Sequence, residues 1–146
     1  MKNLLRLLAL AFGFCLLGPA AVSAAQPTSI RAILITASNA KAESDPRLKA
    51  YENELQRNLV FSSFRFVNEG SASVPANGRS TLQLADGHSL ELEVEKGAGV
   101  RVRVVWTHRG AAMMSTSLPL KSGSPAVLVR RGGKDDNVPV ILVFAR

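Results

Sequence analysis

A single cysteine, Cys15, is all the thiol this chain holds, and it lies in an apolar stretch near the amino terminus. A disulfide framework and thiolate chemistry are therefore excluded for the rest of the sequence, which must be stabilised by packing and hydrogen bonds. Histidine is almost as scarce. His88 and His108 fall at predicted turns, and neither stands at metal-ligand spacing from a Cys, Asp or Glu, so both read as solvated turn residues. No serine occupies a nucleophile elbow, because Gly70-Ser71-Ala72-Ser73-Val74 lacks the closing glycine. Aromatic residues make up 5% of the chain, with one Trp and one Tyr, too few to stack a series of bases or sugars. The basic excess, 18 Lys and Arg against 11 Asp and Glu, is dispersed and contains no lysine run, so no nucleic-acid partner is expected.

The densest polar cluster is Arg130-Arg131-Gly132-Gly133-Lys134-Asp135-Asp136-Asn137. Asp follows Lys134 where a phosphate loop needs Ser or Thr. Asp135, Asp136 and Asn137 do not alternate as calcium ligands do, and no distal carboxylate follows. Two glycines among mixed charges read as a hairpin turn, with weak anion or partner binding as the alternative. No catalytic residue, cofactor or metal is expected from these patterns.

What the sequence does hold is strict alternation. Leu90, Leu92 and Val94 alternate with Glu91, Glu93 and Glu95, and Val100, Val102 and Val104 alternate with Arg101 and Arg103. Period two marks strands with one buried and one wet face. A three-residue loop at 97–99, ending in Gly99, sets Glu95 opposite Arg101, Glu93 opposite Arg103, Val94 opposite Val102, Leu92 opposite Val104 and Leu90 opposite Trp106. The same rule at 108–110 sets Val104 opposite Met114, Val102 opposite Thr116 and Val100 opposite Leu118. Trp106 then faces the core, and the glutamates form a charged ladder with neighbouring arginines on the wet face.

Residues 1–24 have the layout of a secretory signal peptide: Lys2 and Arg6, an apolar run from Leu7 to Leu17, and small residues at Val22-Ser23-Ala24. The apolar run is short for a membrane span. Cys15 follows Phe14 where a lipidation site needs a small residue. Cleavage would remove two basic residues from a formal charge of +7 and leave residues 25–146 as one domain, with no membrane span. Its first strand is Ile30–Thr36, apolar on much of both faces and hence central or covered. Asp45-Pro46 starts an amphipathic helix reaching about Leu59, with Leu48, Tyr51, Leu55 and Leu59 on one face. Phe61 to Phe66 leads into another strand, an order that suggests a β-α-β start. Residues 69–79 read as loop with a short edge strand near 72–75, and Asp86-Gly87 as a turn that pairs Leu84 with Leu90 and Leu82 with Leu92. Pro119–Pro125 is a connection, and Ala126–Arg130 and Val138–Ala145 are the last strands, with Pro139 near a strand start. The expected fold is α+β: a mainly antiparallel, sandwich-like sheet with one helix packed on it.

The segments I-R-A-I-L-I-T-A-S-N, D-P-R-L-K-A-Y-E-N-E-L-Q-R-N-L-V-F-S-S-F-R-F and T-S-L-P-L-K-S-G-S-P-A-V-L-V together resemble a group of uncharacterised exported bacterial proteins, over most of residues 25–146. Those motifs are helix, strand and turn residues, so the resemblance implies an exported one-domain β-rich protein and no activity. The closing strand-turn-strand is similar, over that short stretch, to the strand pattern of outer-membrane secretins. The expectation is a non-enzymatic module of the cell envelope, periplasmic or extracellular, that binds another protein or stabilises an assembly through its edge strands. The alternative is a binder of anionic polymer or small ligand through Arg101, Arg103, Arg130 and Arg131. A hydrolase would need the scattered carboxylates, of which Glu91, Glu93 and Glu95 are the one cluster.

Overall fold

The computed structural model describes residues 26–95, 99–130 and 137–146. The signal-peptide reading, Gly97 and Ala98 of the first hairpin loop, and Arg131 lie outside the described residues. The described residues form eight strands: β1 (Thr28–Ser38), β2 (Ser63–Val74), β3 (Arg79–Gln83), β4 (His88–Glu95), β5 (Val100–His108), β6 (Ala111–Leu120), β7 (Ala126–Val129) and β8 (Val138–Ala145). They make two four-stranded antiparallel sheets, one in the order β2-β1-β8-β7 and one in the order β3-β4-β5-β6. The α+β sandwich expected from the alternation is the observed fold. Among the described residues, no helix is long and apolar enough to cross a membrane.

Two layers of apolar side chains follow from the pleat. Ile30, Ala32 and Leu34 of β1 point with Ile141 and Val143 of β8 onto Leu90, Leu92, Val102, Val104 and Trp106 of the second sheet. Ile33, Ile35, Val140 and Leu142 point the other way, beneath Leu48, Leu55 and Leu59. This is why β1 and β8 are apolar on both faces: each is a central strand covered by a sheet and a helical segment. Each such side chain contributes roughly 1.5–3 kcal/mol when fully buried.

The helical segment is not one helix. Pro46–Tyr51 is a 3-10 helix, and only Glu52–Asn58 (α1) is α-helical. The start is as expected, with the Asp45 side chain accepting from Arg47 N–H and Pro46 in the first turn. This segment does not bridge parallel strands. β2 returns beside β1, antiparallel to it, so the suggested β-α-β start is a long hairpin with a helical connection. Nor is 69–79 mainly loop: β2 runs on to Val74, because β1 offers it a ladder along its whole length. A bulge at Val67 lets Leu34 face Asn68 while Ile35 faces Phe66.

The β4–β5 register is the expected one, with Glu95, Glu93, Val94, Leu92 and Leu90 opposite Arg101, Arg103, Val102, Val104 and Trp106. Gly99 has φ of 81°, the left-handed conformation that the loop requires of it. Two neighbouring registers differ from expectation. At 108–111 the loop has two residues, Arg109 (φ 50°) and Gly110 (φ 80°), so His108 pairs with Ala111. A bulge at Met113 then restores the parity, and Trp106, Val104, Val102 and Val100 meet Met114, Thr116, Leu118 and Leu120. The turn before β4 is also longer, because Asp86 and Gly87 both take positive φ, and Leu82 rather than Leu84 sits opposite Leu90. Both shifts are by two residues, which leaves the same side chains inside. Val100 is the exception, 37% exposed at the start of its strand. Pro119 belongs to β6 rather than to a connection.

Candidate functional site

The outer face of the second sheet carries the charged ladder. Arg79 holds two carboxylates, with its guanidinium 3.3 Å from Glu91 and 3.1 Å from Glu93. Arg101 lies 3.5 Å from Glu95 and donates to Ser117 at 3.4 Å. Arg103 stands opposite Glu93 in the register but makes no ion pair among the described residues, since Glu93 is held by Arg79. All these groups are largely solvated, and positive and negative columns alternate across the face. Such pairs contribute about 0–1 kcal/mol each and cancel one another's field. Arg130 is elsewhere, at the end of β7 in the other sheet. The arginines singled out by sequence therefore do not converge: Arg101 and Arg103 share a face, Arg130 does not, and Arg131 is outside the described residues.

The histidines are a correction of a different kind. His88 is buried, 7% exposed, and accepts from Trp106 Nε1–H through Nδ1 at 3.0 Å. Its ring stacks on that of His108, centroids 4.2 Å apart. His108 in turn donates from Nε2 to the Asp86 carbonyl at 3.0 Å, and Arg109 N–H donates to Gly87 C=O at 2.9 Å. The two turns are thereby tied together at one end of the sheet. Burial, with the charge that His108 can carry, lowers the pKa of His88. The pair seals the indole in the core; among the described residues, no group of three His, Cys, Asp or Glu could hold a metal ion.

No known protein family, curated protein or solved structure matches the chain.

One side of the sandwich is closed where β2 runs into β3. Gly70 permits this approach: a Cβ there would stand 2.9 Å from Leu82 Cδ1. The other side is open. β6 and β7 are consecutive, joined through a tight turn at 121–124 in which Ser124 N–H donates to Lys121 C=O and Gly123 has φ of 83°. They then diverge into different sheets, each at an edge. Between them lies a cleft of about 750 Å³. The whole of β7 lines it, within a run of six consecutive positions from Pro125 to Arg130, whereas β6 contributes the alternate residues Met114, Thr116 and Leu118. The far wall is the end of α1 and the residues after it, Asn58 to Phe61. There Val60 is 92% exposed, the most solvent-exposed large apolar residue described. An edge strand beside a groove whose side chains are mostly apolar is chemically suited to holding a chain segment.

Proposed function

We propose that this chain is an exported, non-enzymatic module of the cell envelope that binds another protein or steadies an assembly. The observation that carries the reading is the open side of the sandwich, where two edge strands flank a cleft whose side chains are mostly apolar, with Val60 bare at its rim. A free sheet edge is a standing template for another chain, and folds that use none blunt it with charge, proline or a cover. Here Ala126, Val127, Leu128 and Val129 carry neither charge nor proline. Export is supported by the layout of residues 1–24. The alternative, anion binding through Arg101, Arg103, Arg130 and Arg131, is less well supported, since Arg101 and Arg103 alternate with carboxylates and Arg130 is remote from them.

The test is site-specific photo-crosslinking of the full chain in the producing cell, with the probe at Val60 on the rim or at Glu91 on the ladder face. A discrete protein adduct from Val60 and none from Glu91 is expected. Adducts from neither position, or recovery of anionic polymer through the ladder face alone, would overturn the reading.

A further inference from the structure

The lining of the cleft distinguishes its two strands. Consecutive lining residues mean that β7 presents its edge, with the side chains of both faces and the backbone between them. Alternate lining residues mean that β6 presents one face, as a floor of side chains. Only β7 therefore offers backbone hydrogen bonds into the cleft. It pairs on one side with β8, from Ala126 opposite Val143 to Val129 opposite Val140. In an antiparallel ladder half of those residues turn their N–H and C=O away from the partner strand, towards the free edge. Groups of that kind are satisfied by extended backbone and poorly by a compact small ligand.

We propose that the cleft takes an extended peptide segment of a partner protein, added to β7 as a fifth strand of the first sheet, apolar on both faces and carrying a carboxylate beside Arg130. This rests on reading the chain as a protein-binding module and names the site and the chemistry of the partner. Both faces are apolar because the added strand lies between the Met114 and Leu118 floor and the wall at Val60 and Phe61. A strand covered on both sides reads as a near-continuous aliphatic run. The carboxylate follows from Arg130, whose exposed guanidinium lines the cleft at the end of the edge. The added strand matches β7 over four residues, roughly 13 Å at the usual rise. A second copy of the chain fits less well, because its own β7 is flanked by its own helical wall and by β6 and cannot enter the groove as a bare strand.

The probe is a fluorescent peptide, Val-Thr-Val-Ile-Val-Asp, compared with versions ending in Lys or with the central Ile replaced by Pro. Anisotropy against the full chain reads binding, and amide exchange reads the ladder. The first peptide binds and slows exchange at the β7 amides, while the proline version, which breaks the ladder, does not. Thr116→Arg fills the floor and abolishes binding; Val60→Asp, on a fully solvated rim, weakens it without touching the core. Arg130→Glu weakens the Asp peptide by about tenfold and favours the Lys version, as expected of a charge-assisted contact. Equal binding of the proline peptide, or binding without protection of β7, overturns the proposal in favour of a small-ligand pocket. Self-association blocked by Thr116→Arg, with no peptide bound, overturns it in favour of a second copy. Failure of every peptide alongside a protein adduct at Val60 in cells would sink this inference alone. Peptide binding with no adduct in cells would instead sink the broader reading of function.

Discussion

Mild acid weakens this protein through His88. The side chain is 7% exposed, accepts from Trp106 at 3.0 Å and stacks on His108. Burial first, then the charge on His108, with Arg109 adding to it and Asp86 opposing, hold its pKa below the ordinary 6.5. The unfolded chain therefore takes up the proton at higher pH than the folded one. Stability from this group is complete above the ordinary value and is lost as pH falls through it towards the folded pKa. One differential proton corresponds to a slope of at most about 1.4 kcal/mol per pH unit. Between pH 6.5 and 5.5 the loss is at most about 1 kcal/mol, because the unfolded ring is already partly protonated at the start. With a urea dependence of roughly 1–3 kcal/mol per molar, the unfolding midpoint drops, by no more than about 0.3–1 M. Protonation also converts Nδ1 to a donor and leaves the indole N–H with no acceptor. Trp106, the only tryptophan, reports the transition by fluorescence. His88→Phe removes the titration and costs about 1–3 kcal/mol at pH 8, by stranding the indole N–H. Parallel pH profiles for wild type and His88→Phe between pH 8 and 5 would refute the reasoning.

The Asp45 carboxyl, hydrogen-bonded by the Arg47 side chain and backbone N–H, titrates at about 2, and NMR of Arg47→Ala shows it moved back towards the ordinary carboxylate range. Leu55→Ala, at a residue with no exposure between the helical segment and the first sheet, lowers stability by about 2–5 kcal/mol in urea melts, because it leaves a cavity among Ile33, Ile35 and Leu142. Gly70→Val costs about 1–3 kcal/mol by driving Leu82 off its rotamer, whereas Arg79→Ala, for all its two ion pairs, costs under about 1 kcal/mol. Thermal melts that rank Arg79→Ala as the more damaging would reverse that judgement.

The β4–β5 hairpin was legible because two independent signals agreed on one register: apolar parity and opposite charges at Glu93–Arg103 and Glu95–Arg101. The limits of β8 were legible because Val138–Ala145 is apolar throughout and flanked by polar residues. The β5–β6 register was not, since a bulge at Met113 adds one residue to a shorter loop, and no single side chain announces it. His88 was placed in a turn although it is in phase with Leu90 and Leu92; that parity, and the need of an inward Trp106 for an acceptor, were the available signs. The second half of β2, with Gly70, Ser71 and Ser73, has loop composition, and only its pairing with β1 makes it a strand. The cleft was invisible because it depends on β6 and β7 parting into different sheets after Gly123, a choice that local sequence does not record.

The first strand of the chain lies between the second and the last. While the protein is being synthesised, residues 79–120 can zip together from near neighbours as soon as they emerge. The sheet built on β1 is complete only once β8 has joined it, because β7 and β1 reach each other only through β8. A chain made only as far as Asn137 thus carries one finished sheet and one unfinished, with β7 left without the strand that joins it to β1.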